Sequence, residues 1–243
     1  MKTFEICRGR SALPIVLSCE HASGEIPAEF GDLGMTREHL VGCARGKDQG
    51  AADLFDYLVR ELDCLGIRNG ISRLVIDANR YEDQDELIPT SWGCKEIPGN
   101  IGLSDDERAR RIERYYRPYH QALQDSLLQC ERFHGKVFYF AIHAMAEEFE
   151  GQMREMDFAL ISNRGVELTP FLEERLQTAG YAASVNEPYH LERDIVRVPH
   201  GSEMERFNER AVLIEMNERC RGDDRAKEAL LNAIRGTVEE NYP

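Results

Sequence analysis

Two hydrophobic patterns alternate along the chain. Residues 15–18, 72–77, 136–142, 157–162 and 211–216 are short apolar runs framed by turn-forming or charged residues, the pattern of buried strands. Between them apolar positions fall at helical spacing. Ala51, Leu54, Phe55, Leu58 and Leu62 lie at i, i+3, i+4, i+7 and i+11, a single stripe of one helix, and Asp48 stands just ahead of it where an N-cap belongs. Residues 35–44 predict a short helix capped by Thr36. Ser104-Asp-Asp-Glu107 is a capping box that opens a helix running to about Phe133, with Pro118 expected to kink or split it. Thr169-Pro170 starts a helix ended by Gly180, and a last helix covers 224–240. Residues 81–103 read as a long loop, a kind of segment that often carries function, and 182–198 follow neither period. Strands alternating with helices argue an α/β layered sheet.

Composition narrows this picture. The 243 residues suffice for one α/β domain, 1–243, with a sizeable core. Acidic residues outnumber basic ones, 44 to 30, giving a net charge of -14. Such a surface repels nucleic acid and anionic membranes, so neither is expected as a partner, while a local arginine can still recruit a small anionic substrate. Seven cysteines, an odd number with no CxxC pair, argue against a zinc ribbon and a disulfide framework; Cys64 and Cys130 fall on helical patterns as core residues. The first residues lack an apolar signal core, and no run reaches the ~18 apolar residues needed to cross a bilayer. A reducing cytoplasm is the expected location.

Chemistry gathers where the strand patterns end. The first runs into Cys19-Glu-His21, the second into Asp77-Ala-Asn-Arg80, the third into His143, and the last carries Glu215 near its end. In open α/β sheets ligands bind beyond the carboxyl ends of strands, so four such ends point to one site. Two imidazoles and one carboxylate with an open fourth position make a catalytic zinc arrangement, which reads His21 and His143 as ligands. The third ligand is an acidic residue near His21, either Glu25 in the same loop or Asp48 at the next helix. Glu215 suits a general base, because a carboxylate in a buried strand needs a partner or an edge position. Arg80 offers a fork of donors for a substrate carboxylate, with Arg73 a weaker candidate for the same role. His120 suits a residue that orients a ligand by hydrogen bond. His39 and His134 have no comparable setting, and His190 and His200 lie where a loop could close over substrate. There is no GxGxxG, Walker, GxSxG or HExxH motif.

Taken together, Cys19-Glu-His-Ala-Ser-Gly-Glu-Ile-Pro27, Asp48-Gln-Gly-Ala51, Ser72-Arg-Leu-Val-Ile-Asp-Ala-Asn-Arg80, Ile97-Pro-Gly-Asn-Ile-Gly102, Tyr116-Arg-Pro-Tyr-His120 and Leu213-Ile-Glu215 resemble the N-formylglutamate amidohydrolase family, in family order over about residues 15–217. The resemblance implies a zinc carboxypeptidase-like (phosphorylase/hydrolase-like) fold, a three-layer α/β/α sandwich with a mixed central sheet. It implies one Zn2+ or other divalent ion per chain on His21, Asp48 and His143, preferring Asp48 over Glu25. It implies that Asn79 and Arg80 grip a substrate carboxylate and that Glu215 is the base. Two places depart from the family pattern. His143 continues as Ala-Met-Ala rather than Ser-Phe or Ser-Met, and Asn186-Glu-Pro-Tyr is followed by His190-Leu191 rather than two glycines.

The resulting expectation is a metal-dependent amidohydrolase, a deformylase or close relative, acting on an N-acyl amino acid such as N-formylglutamate. A homo-oligomer is compatible with this reading. The rivals are a carboxypeptidase-like hydrolase of small peptides and a catalytically idle carboxylate-binding protein.

Overall fold

The computed structural model describes residues 2–10, 12–93, 95–149, 151–162, 168–188 and 205–242. In chain order, strands β1 (Phe4–Cys7) and β2 (Ile15–Cys19) precede helices α1 (Arg37–Gly42) and α2 (Ala51–Leu62), then strand β3 (Leu65–Asn69). A small hairpin of β4 (Ser91–Trp92) and β5 (Lys95–Glu96) follows, then helices α3 (Asp105–Arg111) and α4 (Arg117–His134). Strand β6 (Phe138–Met145) leads to a second small hairpin, β7 (Glu148–Phe149) and β8 (Gln152–Met153), and to β9 (Phe158–Ile161). Helix α5 (Thr169–Thr178), strands β10 (Ala183–Val185) and β11 (Ala211–Asn217) and helix α6 (Asp224–Asn241) complete the fold.

Local chemistry sets these boundaries. Thr36 and Ser104 cap α1 and α3 through their hydroxyls, as the sequence predicts. Pro118 lacks an N–H, so the chain cannot keep a regular helix across it. It widens into a π-helical turn at residues 112–116 and restarts as α4 with Pro118 in the first turn.

The main sheet has the order β1-β3-β2-β6-β11-β9-β10. Strands β3, β2, β6 and β11 are mutually parallel, while β1 and β9 run antiparallel to β3 and β11. The sheet is therefore mixed, and helices cover both faces. One face packs Leu17, Phe140 and Ile214 against α2, α5 and α6; the other packs Val16, Tyr139 and Leu213 against α4. This is the three-layer α/β/α sandwich expected. Burying each large core side chain contributes about 1.5–3 kcal/mol relative to leaving it exposed. Among the described residues, no helix is long and apolar enough to cross a membrane.

One predicted strand is elsewhere. Residues 72–77 form turns, and the strand beside β2 is Leu65–Asn69. Gly66 hid that strand: α2 crosses so closely that a Cβ there would lie 2.5 Å from Val59. The apolar run Leu74-Val75-Ile76 is buried outside the sheet, in a third cluster with Leu87, Ile97, Tyr115 and Tyr116. Buried Arg111 and Asn100 satisfy the backbone carbonyls of this irregular stretch: Arg111 donates to Val75 O, and Asn100 to Leu74 O and Pro89 O.

Candidate metal centre

Because β2, β6 and β11 are parallel, their carboxyl ends lie along one edge of the sheet. His21 lies two residues beyond the end of β2, and His143 lies within β6, two residues before its end. The backbone N–H of Asp48 donates to His21 O at 3.1 Å, which ties the start of the α2 segment to the end of β2. Asp48 does not cap α2. Gly50 occupies that position with φ 94°, a left-handed turn suited to glycine, and the Asp48 side chain is free to point back at the histidines.

The three side chains converge. His21 Nδ1 lies 3.1 Å from His143 Nδ1 and 3.3 Å from Asp48 Oδ2, and His143 Nδ1 lies 3.0 Å from the same Asp48 oxygen. A tetrahedral zinc site with bonds of about 2.0–2.1 Å has ligand–ligand edges of roughly 3.3 Å, so the triangle has the right size. Glu25 is exposed and stands apart from it, its backbone N–H donating to Ser23 Oγ.

The far side of each donor is also held. His21 Nε2 lies 2.7 Å from Asp77 Oδ1, His143 Nε2 lies 3.0 Å from Glu20 Oε2, and Arg73 donates to Asp48 Oδ1. With Nε2–H donating outward, each imidazole turns its Nδ1 lone pair to the centre, as metal-ligating histidines do. The surroundings are acidic as well. Glu20, Asp48 and Asp77 stay ionised, and Glu215 stands level with His143 on the neighbouring strand, with Arg73 and Arg80 paired to Asp48 and Asp77. Donor set and edge lengths fit a divalent cation.

The titration behaviour has the same origin. Burial works against ionising Glu20, but hydrogen bonds from His143 and Tyr119 bring its carboxyl down to about 2. Burial works against Asp48 and Asp77 too. It is outweighed by Arg73 and His21 at Asp48, and by His21 at Asp77, so both stay well ionised. Burial would lower His143, yet its bonds to Asp48 and Glu20 raise it to about 10. A proton and a cation therefore compete for this imidazole. Burial, with the charge of Asp48, raises Glu215 above the ordinary carboxylate range.

Glu215 pairs with His143 across β11 and β6, half-buried, and its Oε2 has no hydrogen-bond partner among the described residues. Arg80 lies 3.7 Å from Asp77 Oδ2 with its side chain 32% exposed, and its carbonyl accepts from the Tyr116 hydroxyl at 2.7 Å. The Asn79 N–H donates to Asp77 Oδ1, and its buried side-chain Oδ1 has no partner among the described residues. The Arg73 guanidinium is engaged by Asp48 and Gly46 O and stacks 4.9 Å from the Trp92 ring. The His120 ring lies against Tyr116 and Tyr119, and burial lowers it to about 4. Ala144, at the departure from the family pattern, packs into the core with α2, and its N–H reaches Asp48 Oδ2 at 3.5 Å. His190, Leu191 and His200 lie outside the described residues. Sequence reasoning missed Glu20 and Tyr119. The signal was present in the register: Ser18 pairs with Ala141, so two residues on Glu20 stands level with His143.

Known proteins resemble this chain in sequence and in fold. A curated N-formylglutamate deformylase of Pseudomonas putida is 27% identical over 207 residues, covering 76% of this chain and 73% of its own. One from Pseudomonas aeruginosa is 24% identical, covering 72% and 68%. Among solved structures, a gene product of Agrobacterium tumefaciens matches with a TM-score of 0.84 at 23% identity, covering 99% of this chain and 94% of its own. An N-formylglutamate amidohydrolase from Ralstonia eutropha matches with a TM-score of 0.77 at 22% identity, covering 99% and 98%. The family model of N-formylglutamate amidohydrolase matches residues 13–220, most of the chain. The chain belongs to the N-formylglutamate amidohydrolase family.

Proposed function

We propose that this chain, acting as one domain over 1–243, hydrolyses the amide of an N-acyl amino acid, with N-formylglutamate as the first candidate. The observation that carries the reading is the triangle of His21, Asp48 and His143, two imidazole nitrogens and one carboxylate oxygen 3.0–3.3 Å from one another. The names of the curated relatives support the substrate class. Those three residues would hold one zinc or other divalent ion, which when bound polarises a carbonyl and lowers the pKa of water toward ~7.

The chain's own residues do the rest. Glu215, with its raised pKa and unpartnered oxygen, takes a proton from the attacking water and passes it to the leaving nitrogen. The hydroxyl joins the acyl carbon, the C–N bond breaks, and the products are a carboxylic acid and the free amino acid. Arg80 and Asn79 bind the substrate carboxylate at the mouth of the site, the guanidinium supplying two parallel donors. Arg73 holds Asp48 in place rather than meeting substrate.

The test is turnover of a panel of N-formyl amino acids, N-acetyl amino acids and dipeptides, before and after treatment with a chelator. N-formyl or N-acetyl substrates with a free carboxylate should be cleaved, with activity lost on chelation and restored by zinc. Cleavage of dipeptides alone would overturn the substrate class, and no turnover by the zinc-loaded protein would overturn hydrolysis.

A further inference from the structure

Glu20 is 3% exposed, on the sheet face whose apolar part is Val16, Ala141 and Leu213. A carboxylate in such a place is costly unless fully partnered. None of its hydrogen-bond partners among the described residues is an arginine or lysine. Its Oε2 takes His143 Nε2 at 3.0 Å, and its Oε1 accepts from the Tyr119 hydroxyl at 2.7 Å. Ser18 and Tyr139, themselves 2.6 Å apart, complete its polar surroundings. A series of contacts therefore runs from α4 through the end of β2 to β6, and it finishes on the far nitrogen of one donor of the triangle. His21 has its own separate carboxylate in Asp77.

We propose that Glu20, held in turn by Tyr119, is the positioning residue of His143: it fixes the Nε2–H tautomer and aims Nδ1 into the triangle. This rests on the reading of His21, Asp48 and His143 as metal ligands. A charged acceptor behind an imidazole makes it a stronger donor, and a side chain locked by two strands and a helix keeps the ring from turning. The competing explanation is a packing role, in which the bonds merely join β2, β6 and α4. The two differ for Glu20→Gln, which keeps the shape and an oxygen for Nε2–H but loses the charge.

The experiment measures zinc affinity by chelator competition at one pH, and the visible spectrum of the cobalt(II)-loaded protein, for wild type, His143→Ala, Glu20→Gln, Tyr119→Phe and the double variant. The thermal midpoint of each metal-free protein reports folding separately. Glu20→Gln should weaken zinc binding by about 10-fold or more and shift the cobalt bands, and Tyr119→Phe should do so by less. The double variant should bind about as Glu20→Gln does, since the hydroxyl acts through the carboxylate. If His143→Ala binds zinc as wild type does, the ligand assignment fails and the positioning role falls with it. If His143→Ala loses zinc while Glu20→Gln and Tyr119→Phe bind normally, the positioning role alone is overturned. Should Glu20→Gln fail to fold, Tyr119→Phe decides by the same criterion.

Discussion

The two faces of the central sheet use the same strands for different ends. Toward α2, α5 and α6 the strands present Leu17, Cys19, Phe140, Ile142, Ile214 and Met216, apolar from one end to the other. Toward α4 they begin apolar, with Val16, Tyr139 and Leu213, and turn polar at the carboxyl edge, with Glu20, His143 and Glu215. Since side chains alternate between faces, a core and a candidate site can share β11 residue by residue: Ile214 packs into the core, and Glu215 faces His143 on the polar side. The first face needs only volume and apolarity. The second needs particular atoms at particular heights, which the register across β2, β6 and β11 supplies.

Neighbours on β11 give the widest separation. Glu215→Gln should lower kcat by about 10²–10⁴ with metal content and melting temperature nearly unchanged. Ile214→Ala should cost about 2–5 kcal/mol of stability with little change in turnover per folded molecule. One preparation of each, assayed for melting, metal and kcat, checks both; early melting with retained turnover in Glu215→Gln would merge the two faces into one structural core. A smaller effect is expected at the edge of the polar face. Arg80→Lys keeps the charge but not the two-pronged geometry, and should weaken use of carboxylate substrates by roughly 10-fold while barely affecting amidated ones. Equal losses on both would make Arg80 a structural residue.

The smallest effect is in the shape of the stability curve of metal-free protein. Glu20 is lowered from 4.5 to about 2 on folding, so its contribution is present above pH 4.5 and fades as pH falls toward 2. His143 is raised from 6.5 to about 10, so its contribution is present below pH 6.5 and fades as pH rises toward 10. Melting temperature should therefore peak between these limits. Ile214→Ala should lower the whole curve, whereas Glu20→Gln should flatten its acid side; an unchanged shape in Glu20→Gln would remove that carboxylate from the balance.

The apolar face was legible in the sequence because it is periodic. The stripe from Ala51 to Leu62 and the runs ending at His21, His143 and Glu215 lead directly to the layers and to the edge where polar groups collect. Where one pattern had two meanings, the sequence misled. Leu74-Val75-Ile76 looks like a strand but fills a cluster under irregular backbone, while the true β3 carries a glycine demanded by the passage of α2. Glu20 stayed hidden for a different reason. A carboxylate next to a histidine has no periodicity of its own, and its partners His143 and Tyr119 are 123 and 99 residues away. Pairing between distant strands is a property of the fold, and only the register reveals it.

Helix α4 has 18 residues, about 27 Å of rigid rod, and the tyrosine just before it lies one turn from Tyr119. Tyr116 supports the backbone of Arg80, and Tyr119 supports Glu20 behind His143. Under the roles proposed for Arg80 and His143, affinity for substrate and speed of reaction would share a single lever. A substitution that tilts α4 should then move KM and kcat together, and selectivity independent of rate would have to come from segments that do not touch this helix.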